Sequence, residues 1–193
     1  MARPQEFDPN EALQVAIEVF WENGYYDTSV DEVIRRSGVA KYGIYGTFGS
    51  KRELFKKVLK QYASDRHRDI QSPIRKLGAS LPDILKFFKR AVKLMTQDEA
   101  RRGCLIVNTG VELGLRDTEI RDFVLNFFQE TEEVMVRCLT NAMKLGQIEV
   151  LPNVSALATY LITEFRTALM LASSGSSRRA IQAQLDIALR VLH

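Results

Sequence analysis

Cys104 is the side chain in this 193-residue sequence with the most suggestive neighbours for chemistry. It follows Arg101, Arg102 and Gly103 at the start of a helical pattern. Cationic neighbours and a helix N-terminus both lower a thiol pKa. That predicts a reactive Cys104, acting as a redox or electrophile sensor. The competing reading is a small buried hydrophobe, because free cysteines are commonly buried. Cys138 falls on an apolar stripe and reads as structural. A thiol enzyme also needs a base and an orienting group. The histidines are His67 and His193, neither is near Cys104 in sequence, and no nucleophile–base–orienter set is visible. No catalytic residue is assigned. Two cysteines without a Cys-x-x-Cys spacing and two histidines make no metal cluster, so neither metal nor cofactor is expected.

A different chemistry is suggested by the stretch GVAKYGIYGTFGSK, residues 38–51, with glycines at 38, 43, 46 and 49. Glycine-rich loops cradle phosphates, but that motif needs a preceding strand and a Gly-Lys-Ser/Thr ending. Neither is present. The charge around this stretch points elsewhere. Residues 1–32 carry one Arg against eight acids, whereas residues 33–68 carry ten Lys or Arg against two. The local excess is a candidate nucleic-acid footprint, set against the plainer reading of a solvated basic helix face.

These residues must be positioned by helices, because helical signals run almost throughout. Asp8-Pro9-Asn10-Glu11 reads as an N-cap, a first-turn proline and an acid at the third position. Leu13, Ala16, Ile17, Phe20 and Trp21 recur at helical spacing until Asn23-Gly24 closes the helix. Ser29 and Glu32 mark a second start, stopped at Gly38, and Ser50 and Glu53 mark a third. The segment between, 41–48, sets Val39, Ile44 and Phe48 on an apolar side, with Lys41 and Tyr45 on another face and Gly43 and Thr47 on a third. Short helix, glycine-containing turn, short helix is a helix-turn-helix signature. The pattern breaks from Ser72-Pro73 to Gly78, which predicts a domain boundary. Further helices are predicted from Leu81, through Leu105-Ile106-Val107, after Asp117 to Gly146, from Asn153 to about 172, and over 177–192 beyond Ser-Ser-Gly-Ser-Ser. No run of about 18 apolar residues is present. The N-terminus lacks an apolar signal core, so a cytoplasmic protein without a membrane partner is the expectation. In the second half Phe88, Phe123, Phe127, Tyr160 and Phe165, with Cys104, are candidate linings of an apolar ligand cavity. Ordinary core is the competing reading for each.

The run EALQVAIEVFWENGYYDTSVDEVIRRSGVAKYGIYGTFGSKRELFKKVL, within 7–62, resembles the DNA-binding domain of the TetR family of transcriptional repressors. The matching features are Gly-Tyr at the end of the first helix, Thr-Ser before the second, and Ile-Tyr-x-x-Phe-x-x-Lys at the third. The later RRGCLIVNTGVEL is similar to a segment of one branch of that family. The resemblance implies an all-α chain. A helix-turn-helix domain over 1–50 and a connecting helix over 50–70 would lead into a helical-bundle ligand-binding and dimerisation domain over 73–193. It implies a homodimer on a near-palindromic double-stranded DNA operator, released by a small-molecule effector. An activator with the same head and a sensor acting through Cys104 are the alternatives.

Carried over, Tyr45 and Lys51 would contact phosphates, helped by Thr28 and Ser29, while Lys41, Tyr42, Gly43 and Thr47 would face bases. The family often has Thr or Ser where Gly43 stands and a bulkier residue where Gly46 stands, which implies closer backbone approach here. Apart from the resemblance, Arg3-Pro4 reads either as a frayed terminus or as a basic arm toward an adjacent minor groove. The two-fold interface would draw on Leu161, Ala168, Leu169, Ile181, Leu185, Ala188 and Leu192, with the chain's own core the competing reading for some of them.

Overall fold

The computed structural model describes residues 7–95, 102–150 and 152–192, and all regular structure among them is helical. Arg3, Pro4, Arg101 and His193 lie outside the described residues. Helix α1 spans Pro9–Asp27. The Asp8 carboxylate accepts the Asn10 N–H at 2.8 Å, and a proline occupies the first turn. Its regular part stops where expected, because Gly24 leaves helical geometry at φ 75°. Helix α2, Val30–Ser37, is capped by Ser29 and ended by Gly38 in the left-handed region. Helix α3 is Lys41–Phe48 and α4 is Lys51–Arg66, capped by Ser50.

The two expected capping boxes are half formed. Ser29 and Ser50 each accept an N–H three residues on, but Glu32 turns to Arg35 and Arg36, and Glu53 lies near Arg52 and Lys56. A guanidinium outcompetes a backbone N–H for a carboxylate because both partners are charged.

α4 runs on through a π-helical turn, His67–Gln71. Beyond an irregular link come α5 (Leu81–Met95), α6 (Leu105–Leu113), α7 (Thr118–Lys144), α8 (Val154–Ser173) and α9 (Arg178–Ala188). A 3-10 turn at Leu189–Leu192 follows α9. Asp117, Asn153 and Ser177 cap the last three helices. The break at 72–78 is a turn in the chain and does not interrupt the core: α1 packs on α4, α2 and α6, and α4 also meets α6. One buried cluster extends from Phe20 and Phe55 in the first helices to Phe87, Leu139 and Leu161 in the later ones.

The residues expected at a two-fold interface belong to this core. Leu161, Ala168, Leu169, Ile181, Leu185, Ala188 and Leu192 are all buried within one chain, where α8 packs on α7 and α9. The correction has a simple cause. Both helices carry apolar residues on more than one face, and one of those faces is spent on the chain's own core. Tyr160 and Met170 of α8, with Ile187 and Val191 past them in the chain, are the exposed ones. α8 is the one described helix long and apolar enough to cross a membrane by length and composition, yet Leu161, Phe165 and Ala168 are buried against the rest of the chain.

Candidate nucleic-acid interface and adjoining cavity

α3 is held by two buried anchors, Ile44 and Phe48, and packs on α2 and α4. Lys57 steadies its end by donating to the Thr47 carbonyl at 2.8 Å, with its ammonium 5.2 Å above the Phe48 ring. The opposite side is bare. Tyr42 is 89% exposed, Tyr45 is 41% exposed, and Lys41, Gly46 and Thr47 also face outward. A Cβ built on Gly46 meets nothing within 4 Å. Lys41 reaches along this face, 3.4 Å from Asp31 and 5.8 Å above the Tyr45 ring. Lys51, the first residue of α4, donates to the Tyr26 carbonyl at 3.1 Å and stacks 4.7 Å from the Tyr25 ring.

Two expected contacts are placed differently. Gly43 is half-buried, and a Cβ there would stand 3.0 Å from both Phe7 and Val39. The absence of a side chain makes room for the segment leading into α1, so Gly43 does not belong to the outward face. Thr28 is buried, with its hydroxyl donating to the Gly24 carbonyl at 2.7 Å. That hydroxyl seals the irregular end of α1, and its side chain is unavailable to a phosphate. Ser29 uses its hydroxyl oxygen to cap α2.

The basic block is largely neutralised in space. Arg36 pairs with Glu22 and Glu32, Arg35 with Glu32, Arg52 with Asp117 and Glu119, and Lys56 with Glu119. Hydrogen bonds from Arg35 and Arg36 hold the Glu32 carboxyl down at about 2. The acidic excess of the first 32 residues is therefore partly folded onto the basic excess that follows. On the α3 edge Lys51 and Lys57 donate to backbone carbonyls, and Lys41 is loosely paired with Asp31 at 3.4 Å.

Behind this head lies a cavity of about 340 Å³, walled by α1, α4, α5, α7, α8 and the link before α6. Of the expected lining residues, Cys104, Phe127 and Phe165 are in its wall. Phe88 is core, packed against the Phe87 and Phe165 rings, Phe123 borders a separate groove beside Lys56 and Leu59, and Tyr160 is on the surface. Trp21 and Tyr62 complete the aromatic wall. They come from the first helices, where the sequence pattern marked only core. Trp21 donates to the Gly103 carbonyl at 3.0 Å and meets the Tyr62 ring edge-on at 5.3 Å.

Cys104 is buried, and burial raises its pKa above the ordinary thiol value. The nearby Arg102 guanidinium is drawn away by Glu18 at 2.5 Å and by the Trp21 ring at 4.5 Å. The expected activation by Arg102 is thus absent, which corrects the picture of a reactive thiol drawn from its sequence neighbours.

α6 connects cavity and head. Its N-cap is Cys104. Near its other end Glu112 accepts the N–H groups of Tyr25 at 2.9 Å and Tyr26 at 2.8 Å. A Cβ on Gly24 would lie 2.8 Å from that carboxylate, so the glycine permits the clasp.

Comparison with known proteins agrees with this geometry. Residues 12–58 match the family model of bacterial regulatory proteins of the tetR family, and residues 80–187 match the tetracyclin repressor-like C-terminal domain. The uncharacterized HTH-type transcriptional regulator YezE of Bacillus subtilis (strain 168) is 28% identical over 193 residues, covering 100% of both chains. The HTH-type transcriptional repressor DhaR of Mycobacterium sp. (strain GP1) is 25% identical over 182 residues, 93% of this chain and 89% of that one. Among solved structures, a cysteine mutant of the TetR family regulator CifR, complexed with 26-base-pair double-strand operator DNA, is 25% identical. It superposes with a TM-score of 0.86 over 99% of this chain and 100% of that one. The chain belongs to the TetR family of transcriptional regulators.

Proposed function

We propose that this regulator is a homodimeric repressor, working in the cytoplasm on a near-palindromic operator and released by a small molecule held in the cavity behind its head. The observation that carries the DNA-binding part is the bare face of α3. Tyr42, Tyr45, Lys41 and Thr47 project from a short helix whose other side is locked by Ile44 and Phe48. A Tyr hydroxyl and an ammonium suit phosphates. Lys41 can donate to guanine O6 or N7, and the Thr47 methyl can meet a thymine methyl.

Release follows from the path through α6. The cavity wall includes its N-cap, Cys104, and its far end holds Tyr25 and Tyr26 through Glu112. The Tyr26 carbonyl in turn accepts Lys51. A ligand that shifts α6 moves the base of the head and the phosphate-contacting lysine with it. Two heads read half-sites about 34–36 Å apart. A change in their relative setting lowers affinity without unfolding either one. The exposed apolar residues of α8 and the chain after it supply a surface for the second copy.

A mobility shift on the promoter region beside its own gene tests this reading. Wild-type protein should retard the fragment, and Lys41→Ala/Tyr45→Ala should not. Equal binding by both would move the contact surface away from α3. Removing Lys51 should also lower the salt slope of binding by about one unit if it neutralises a phosphate.

A further inference from the structure

We infer that the cavity takes an anionic amphiphile, a monocarboxylate with a compact apolar body, and that Arg66 reads its charge. The inference rests on the reading of this cavity as the effector site. Trp21, Tyr62, Phe127, Phe165 and Leu169 give the wall an apolar and aromatic character. Arg66, the last residue of α4, belongs to the same wall with its side chain only 17% exposed. Its guanidinium lies 4.9 Å above the Tyr62 ring. The acid facing it is Asp69 on the π-turn, at 3.6 Å from one terminal nitrogen, which is beyond a good hydrogen bond. Asp65 is turned to Arg68 at 2.9 Å. The Nε–H of Arg66 is buried with no acceptor.

Other polar groups of the wall are already engaged. Trp21 donates to Gly103, Gln71 donates to Thr131 and accepts from Arg75, and Glu18 holds Arg102. Arg66 is thus a largely buried cation, loosely paired with Asp69, whose Nε–H is unused beside an apolar space. Buried donors are almost always satisfied in a working state, and a planar guanidinium fits a carboxylate with paired hydrogen bonds. A neutral carbonyl can accept from the Nε–H, but it gives only a single hydrogen bond without the charge assistance of a carboxylate. A dianion would bring in a second charge, and the other guanidinium of the wall, Arg102, is already paired with Glu18. The cavity's 340 Å³ lies at the small end of ligand clefts, which favours an aryl or short alkyl body.

The protein carries its own reporter, since Trp21 is the chain's single tryptophan and stands in the wall. Its fluorescence is titrated with phenylacetate and hexanoate, and with the neutral isosteres phenylacetamide and hexanamide. Either acid should bind about tenfold or more tightly than its amide, a gap set by the charged contact. Arg66→Gln should close that gap while still admitting the amide, and Arg66→Lys should keep part of it. Operator binding by each variant, read by mobility shift, reports folding, because Arg66 is remote from α3. Equal affinity of acid and amide in the wild type, an undiminished gap in Arg66→Gln, or no saturable response to any of the four probes overturns the inference. If an acid saturates Trp21 but leaves the operator complex intact, the ligand class stands and release by this cavity falls.

Discussion

A bare helical surface and a buried thiol make opposite demands on single residues. Gly46 stands inside α3 with open space where its Cβ would be. Alanine there should stabilise the protein by about 1 kcal/mol, raising Tm by about 2–4 °C for a chain of this size. The same methyl sits on the face proposed to approach DNA, so operator affinity should fall as Tm rises. Calorimetry and mobility shift together check this, and unchanged affinity would mean that α3 does not bring its backbone close at this point. Gly43→Ala should gain nothing, because its Cβ meets Phe7 and Val39 at 3.0 Å. Cys104 makes the other demand. Burial leaves it a poor thiolate, outweighing the opposing pull of the Val107 N–H and the Tyr62 hydroxyl. Iodoacetamide at pH 8 should label it about tenfold or more slowly than a free thiol peptide, with denaturant restoring the rate. Fast labelling of the folded protein would return Cys104 to the role of sensor.

At the scale of elements, the helix starts were legible and the joints between helices were not. Asp8, Ser29, Ser50, Asp117 and Asn153 each satisfy an N–H two or three residues away, so the information is local. Glu112 bonds Tyr25 and Tyr26 across more than 80 residues, and no spacing rule announces such a pair. The cavity was partly misread for the same reason. It straddles head and body, so Trp21 and Tyr62 join Phe127 and Phe165, while Phe88 and Tyr160 turn elsewhere. Glu112→Ala removes two charge-assisted hydrogen bonds at a partly exposed site, and should cost about 1–2 kcal/mol. It should also leave operator binding in place while weakening its response to a cavity ligand. Mobility shifts with and without phenylacetate would show this.

The π-turn has its own signature. The His67 ring stacks on Phe127 at 5.1 Å, and its Nε2 is buried without a partner. Burial, then the Arg75 charge, push its pKa below 6.5, against a smaller opposing pull from Glu130. The folded state thus binds this proton less readily than the unfolded state does. Its contribution is present above pH 6.5 and is lost as pH falls through the ordinary histidine range toward the lowered value. His67→Phe should flatten Tm against pH in that window and leave the slope at lower pH, which belongs to carboxylates such as Glu32, unchanged.

For the molecule as a whole, the unresolved demand is the apolar flank of its last helices. α8 has a mean hydropathy of 1.2 over its most apolar window, yet only 33% of that window is buried within one chain. Tyr160 and Met170 are 38% and 53% exposed, and Ile187 and Val191 are 62% and 49% exposed. Tyr160 and Met170 lie on α8, Ile187 on α9 and Val191 on the 3-10 turn after it. A surface of this kind is covered most economically by its own copy across a two-fold axis. The double variant Met170→Glu/Ile187→Glu tests that arrangement without touching the core, since neither side chain is buried. It should sediment as a monomer with a Tm near that of the isolated wild-type fold. Operator affinity should drop by about 10²–10⁴, because a second head tethered to the first is presented at roughly millimolar effective concentration and a free monomer is not. Half-site binding at high protein concentration should survive, since α3 and its anchors are unchanged. If wild type and variant both sediment as dimers, the proposed two-fold contact moves to another apolar surface, with Val111, Leu115 and Leu125, at 76%, 101% and 52% exposed, the next residues to alter.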